Sequence, residues 1–143
     1  MKKQIHTNSW IWLTTMACAG TGCTFLGPFL PALSVIWRLH DRQAGLLISS
    51  LFAGSLLGTL LIAGDLRKTL RIGSLATSIG LLFFALLLLR PDGYLAGVAA
   101  LFILGFGLGQ LMSSINLLVG TAPIYLRSRA LANLGGAWCA GAL

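Results

Sequence analysis

Long apolar runs separated by short polar breaks dominate the pattern of this chain. A helix rises about 1.5 Å per residue and needs about 20 mostly apolar residues to cross a bilayer, so four runs predict membrane-spanning helices. They lie over residues 9–37, 44–64, 72–89 and 94–120. A last run, 130–143, predicts the start of a fifth helix. Because none of the runs alternates strictly between apolar and polar residues, we expect an all-α integral membrane protein with one domain over 1–143.

The composition supports a membrane environment. Hydrophobic residues make up 57% of the chain and charged residues only 9%, whereas a soluble domain carries about 25% charged residues. The net charge of +7 would suit nucleic acid, but the basic residues lie between the apolar runs without interleaved aromatic residues. We therefore expect the lipid bilayer as a partner, and no nucleic acid.

The basic residues also predict the orientation. With the N-terminus inside, seven basic residues face the cytoplasm and three face outward. The inner set is Lys2, Lys3, Arg67, Lys68, Arg71, Arg127 and Arg129, and the outer set is Arg38, Arg42 and Arg90. Because cytoplasmic loops are enriched in Lys and Arg, we expect a multi-pass protein of the cell membrane (inner or plasma membrane) with a cytoplasmic N-terminus.

Small residues at helical spacing predict the contacts between the spans. Gly54 and Gly58 lie on one face of the second span, and three glycines follow each other at alternate positions, 105, 107 and 109, in the fourth. The third span carries only Gly73, Ala76 and Gly80 on a narrow face, and its later half is leucine, phenylalanine and alanine. We expect the third span at the periphery and the fourth enclosed on several sides. Pro28 and Pro31 predict a bent first span.

Polar side chains within the first and fourth spans are candidates for a substrate pathway. They are Thr21, Thr24, Gln110, Ser114 and Asn116. The plain alternative for the hydroxyls is a bond to the preceding turn of their own helix. For the two amides, a bridge between helices and a role in a cavity remain equally open, because a buried amide needs a partner or water.

Several stretches, in this order, resemble the N-terminal half of the major facilitator superfamily. They are LGPFLPAL at 26–33, GSLLG at 54–58, GDLRKTLR at 64–71 and LGFGLGQLMSSINLLV at 104–119. The last is similar to the fourth helix of sugar-permease-like members. In the stretch at 64–71, a degenerate form of the family's cytoplasmic loop signature is carried by Gly64, Asp65, Arg67, Lys68 and Arg71. The alternative is that these residues only end two helices in the headgroup region.

The resemblance implies a partial helix bundle and a secondary-active transporter that moves a small organic solute, a sugar among the candidates, by alternating access. Because members have about twelve helices, it implies a chain truncated in the fifth helix and inactive alone. Further C-terminal helices or a partner membrane protein would complete it. The alternative function is a small four-helix membrane protein that acts as a homo-oligomer or as a partner of another membrane protein.

No enzyme chemistry is indicated by the sequence. Cys18, Cys23 and Cys139 lie in apolar segments and, with His6 and His40, show no metal-ligand spacing. We expect the cysteines to be small packing residues, and we expect no catalytic residue, metal or cofactor.

Overall fold

The computed structural model describes residues 9–62, 64–88, 90, 92–121 and 123–143. Within these ranges the regular structure consists of α-helices. They are α1 (Ser9–Thr24), α2 (Leu26–Ile36), α3 (Asp41–Leu60), α4 (Leu66–Leu87), α5 (Tyr94–Gly120) and α6 (Ile124–Ala142). Four segments are long and apolar enough to cross a membrane: Trp10–Ile36, which joins α1 and α2, and the helices α3, α4 and α5. The predicted all-α chain with four such segments is confirmed.

The helix bounds depend on polar caps as well as on apolar runs. Helix α5 covers the predicted range of 94–120, whereas α3, α4 and α6 begin at Asp41, Leu66 and Ile124, ahead of their apolar runs. At the start of α3, the His40 backbone N–H donates to Gln43 Oε1 at 2.9 Å. Because capped turns add residues ahead of the apolar run, α4 and α6 are longer than predicted. Helix α3 ends at Leu60 and not at Gly64, so the predicted end of the second span is wrong by four residues.

The first span is broken at Phe25, between α1 and α2. Pro28 has no N–H to donate to the carbonyl of Thr24, and its ring crowds that carbonyl, so the hydrogen-bond ladder is interrupted one turn earlier. Pro31 lies inside α2. The first span is therefore interrupted where the prolines predict a bend, and the break separates the longer helix α1 from the short helix α2.

Helix α5 lies at the centre of the bundle. It packs along α3 and α4, and α1 contacts it on a third side, while α6 packs mainly on α1. Leu101, Leu104 and Ile115 of α5 are completely buried. The expectation that the fourth span is enclosed on several sides is therefore confirmed.

Helices α3 and α5 contact each other through glycines from both sides. A Cβ atom on Gly54 would overlap the carbonyl oxygen of Phe102, and one on Gly105 would overlap the carbonyl oxygen of Leu51. Gly58 and Gly109 repeat this arrangement one turn further along. The two backbones thus touch directly, which gives close van der Waals packing where lipid offers no hydrophobic driving force.

Helix α4 packs on α5 through a narrow face. A Cβ atom on Gly80 would lie 2.6 Å from the backbone nitrogen of Leu104, and one on Gly73 would lie 3.1 Å from Gln110 Cβ. The outward face of α4 is large and apolar, with Leu75, Ile79, Leu82 and Leu86 exposed. This confirms the peripheral position expected for the third span.

Trp37 closes the bundle at the opposite end from the start of α1. Its indole N–H donates to the carbonyl oxygen of Arg90 at 2.9 Å, and its ring lies against Gly97, where an added Cβ would come within 2.7 Å. Phe84 meets the ring edge-on, with centroids 6.1 Å apart. One side chain thereby joins the end of α2 to α4 and to the start of α5.

Candidate functional site

One end of the bundle carries most of the positive charge of the described residues. Helices α1, α4 and α6 begin there and α3 and α5 end there, as their chain order and packing require. The basic residues at this end are Arg67, Lys68, Arg71, Arg127 and Arg129. We call it the basic end. It gives a reference for depth, since each residue along a helix adds about 1.5 Å.

Most hydroxyls in the helices bond to their own preceding turn. Thr14 donates to the carbonyl of Trp10 at 2.9 Å, and Thr24 donates to that of Gly20 at 3.1 Å. For Thr24, the structure therefore shows the alternative to a pathway role, a hydrogen bond to its own helix. Hydroxyls also reach another helix. Thr21 Oγ1 donates to the Gly141 carbonyl of α6 at 2.7 Å, and Ser113 Oγ donates to Thr59 Oγ1 of α3 at 3.2 Å.

The five predicted pathway residues lie on different surfaces of the bundle. Thr21 is exposed and Thr24 half-buried on α1, whereas Gln110 and Ser114 are buried within the bundle. Asn116 is exposed, about one turn from the basic end of α5. The structure therefore divides the predicted site into an exposed α1 part, a buried α5 part and a residue near the membrane surface.

The buried part lies where α4 and α5 pack together. Gln110 is 4% exposed and Ser114 is fully buried, as is Thr69 of α4. Gly73 packs on Gln110, and the two helices are antiparallel, so Thr69 lies at about the level of Ser114. Gln110 Oε1 and Ser114 Oγ have no hydrogen-bond partner among the described residues. Buried polar atoms in this state are the usual sites of internal water.

The exposed part is a row of polar or thiol side chains on α1. From Trp12 onward, the exposed residues of α1 are Thr14, Cys18 and Thr21. We call this row the α1 hydroxyl face. Their spacing of four and three residues places them on one side of the helix. At a comparable depth, α4 exposes the large apolar residues Leu75 and Ile79 beside Ser74 and Ser78.

The α1 hydroxyl face includes a residue that sequence reasoning assigned otherwise. Cys18 and Cys139 are exposed, so the expectation that they are packing residues is wrong. Only Cys23 is half-buried against the core. Which side of α1 stays open depends on where α6 packs, and the spacing of residues within α1 does not reveal that. The available signal for an open side of α1 was the position of Thr14 and Thr21, which lie four residues before and three residues after Cys18.

The loop residues that resemble the family signature start a helix. Asp65 Oδ1 accepts a hydrogen bond from the Arg67 backbone N–H at 3.0 Å and so caps α4. Gly64, Arg67, Lys68 and Arg71 are exposed. This geometry accounts for Asp65 as a helix cap in the headgroup region, and a signature role for the five residues stays a prediction.

Two cavities lie along the seam between α4 and the α1–α2 segment. The first, of about 300 Å³, is near the basic end and is lined by Trp12, Thr15, Leu70, Arg71, Ser74 and Leu111. We call it the basic groove. The second, of about 190 Å³, is further from that end and is lined by Phe25, Phe29, Leu81, Phe84, Ala85 and Leu88. We call it the apolar groove. Sequence reasoning missed both, because each depends on side chains from separate helices.

Among the described residues, no group of three or more His, Cys, Asp or Glu side chains is placed to hold a metal ion. No protein-family model, no curated protein and no solved structure matches the chain.

Proposed function

We propose that the chain is part of a major-facilitator-type transporter that carries a small organic solute, a sugar among the candidates, across a cell membrane by alternating access. The resemblance of the four ordered sequence stretches supports this proposal. The observation that carries it is the α1 hydroxyl face, because α1 exposes no large apolar side chain from Trp12 onward, whereas α4 exposes Leu75, Ile79, Leu82 and Leu86 towards lipid.

The depth of this face suits a transport pathway. Cys18 follows the first residue of α1 by nine positions, which is about 14 Å, close to half of a hydrocarbon core of about 30 Å. Transporter sites commonly lie near the midplane of the bilayer. Thr14 and Thr21 donate their protons to helix carbonyls, and each oxygen keeps lone pairs that can accept a hydrogen bond from a solute hydroxyl.

The acidic residues take no part in this face. Asp41 and Asp65 lie at helix ends, and Asp92 lies in the connection before α5. We therefore assign solute binding, and not proton coupling, to the α1 hydroxyl face. The proposal places the N-terminus in the cytoplasm and leaves the rest of the pathway to further helices or to a partner membrane protein.

Thiol labelling tests the proposal at Cys18. One variant keeps only this cysteine (Cys23→Ala, Cys139→Ala), and the control places a single cysteine at Leu75 (Leu75→Cys with the three native cysteines changed to Ala). Both positions follow the start of their helix by nine residues. In membranes, we expect a membrane-impermeant maleimide to label Cys18 and not the cysteine at position 75, since the reaction needs a hydrated thiolate. Equal labelling of both positions, or of neither, would contradict an aqueous pathway.

The second candidate function is assembly with another copy or another membrane protein. Helix α6 favours it, because Ala132, Gly136 and Ala140 are exposed at intervals of four residues and an added Cβ at Gly136 would meet nothing within 4 Å. The labelling experiment separates the two candidates. A pathway predicts that added sugars slow the labelling of Cys18. Assembly predicts an unlabelled Cys18 and, in a second variant that keeps only Cys139, exposed on α6, chains that cross-link on oxidation.

A further inference from the structure

The basic groove combines three chemical features at one depth. Arg71 contributes a guanidinium group, Thr15 and Ser74 contribute hydroxyls, and Trp12 contributes an aromatic ring. The floor, formed by Leu70 and Leu111, is apolar. A guanidinium binds a phosphate group, often through two parallel N–H donors. The hydroxyls of Thr15 and Ser74 donate to the carbonyls of Ile11 and Leu70, so they line the groove as polar surface and Arg71 supplies the donors for the anion.

The position of the groove places these features at the headgroup level. Trp12 follows the first residue of α1 by three positions, and Arg71 follows that of α4 by five, which are depths of about 5 and 8 Å from the helix starts. Tryptophan and arginine are typical of this layer. Arg67 and Lys68 are exposed one turn nearer to the end, while Asp65 is occupied as a cap. The local charge therefore favours an anion.

The apolar groove continues the same seam towards the middle of the membrane. Leu81, on its near edge, follows Arg71 by ten residues on α4, a distance of about 15 Å, which equals half of the hydrocarbon thickness. Its lining consists of aromatic and aliphatic side chains. An anion held at Arg71 could therefore extend a hydrocarbon chain along α4 to this groove.

We propose that the seam between α4 and the α1–α2 segment binds one acidic phospholipid, with its phosphate held by the guanidinium of Arg71 and an acyl chain running to the apolar groove. Basic pockets between membrane helices are known sites for acidic headgroups. The site lies on the peripheral side of the bundle, where α4 faces the bilayer, and it is separate from the α1 hydroxyl face. It does not depend on whether the chain transports a solute.

The headgroup half of the site is tested with the full chain in detergent micelles, by counting bound lipid with native mass spectrometry. We expect long-chain phosphatidylglycerol to bind more tightly than phosphatidylcholine. The Arg71→Gln variant should lose about tenfold or more in affinity, because it loses a charge-assisted hydrogen bond. The control Arg67→Gln removes an arginine that does not line the groove. It should lose about twofold at most, because this charge lies one turn farther from the phosphate and is screened by salt.

The acyl half is tested by filling the apolar groove. Ala85→Trp should weaken the binding of long-chain phosphatidylglycerol and leave the binding of short-chain phosphatidylglycerol unchanged. The control Leu82→Trp, on the exposed face of the same helix, should leave the binding of both lipids unchanged. Inorganic phosphate alone should not displace the lipid. The proposal is overturned if phosphatidylcholine binds equally well, if Arg71→Gln retains full affinity, or if free phosphate displaces the lipid completely.

Discussion

Replacing Gly54 by alanine is expected to destabilise the bundle by about 1–3 kcal/mol, whereas the same replacement at Gly45 should stabilise it by up to about 1 kcal/mol. Both glycines lie in α3. A Cβ at position 54 would overlap the Phe102 carbonyl oxygen and would also lie 2.9 Å from the nitrogen of Phe106, while one at position 45 would meet nothing within 4 Å. Only the second site therefore gains from the better helix propensity of alanine.

The measurement is the midpoint of unfolding in mixed micelles, followed by circular dichroism as denaturing detergent is added. The two variants differ from the parent by the same methyl group, so an effect of composition or of detergent binding would be common to both. A Gly54→Ala midpoint equal to or above that of the parent would show that α3 and α5 do not touch at these backbones.

A second large effect is expected at Trp37. Trp37→Ala should cost about 3–5 kcal/mol, because it removes a large buried side chain and leaves a cavity. Trp37→Phe should cost less, about 1–3 kcal/mol, because a smaller aromatic ring still fills part of the space while the bond to the Arg90 carbonyl is lost. Trp37 is 7% exposed, so lipid cannot refill the space without separating α2 from α5.

Trp10 provides the control for this prediction. It is 78% exposed, so Trp10→Ala should change stability by about 0.5 kcal/mol at most. The same unfolding measurement applies to all three variants. If Trp37→Ala destabilised the protein no more than Trp10→Ala, this result would contradict the packing of Trp37 against α4 and α5.

The sequence predicted those parts of the fold that depend on short-range patterns. Gly54 and Gly58 lie four residues apart in an apolar run, and small residues in a membrane helix are selected mainly where backbones meet, so their contact with α5 could be expected. The centre and periphery of the bundle followed from the same reasoning. The helix α5, with glycines on two sides, contacts both α3 and α4.

The parts that depend on long-range packing could not be predicted in this way. Trp37 bonds to Arg90, and nothing near either residue in the chain indicates the pair. Thr69 lies in a basic stretch that predicts a loop between two spans. In the structure, α4 begins directly after the cap at Asp65, so Thr69 is part of the helix and is buried. Cys18 is exposed only because α6 packs on another side of α1.

The central structural claim is that α5 packs along α3 up to the basic end, and a cross-link between the two helices tests it directly. Ser113 Oγ and Thr59 Oγ1 lie 3.2 Å apart, so cysteines at these two positions should be within reach of a disulfide. In a chain with the native cysteines changed to alanine, oxidation in membranes should link Thr59→Cys to Ser113→Cys within one chain. Ser78, exposed on α4, gives the control pair Ser78→Cys with Ser113→Cys, which should stay unlinked. A missing link in the first pair, or equal linking of both pairs, would contradict the bundle described above.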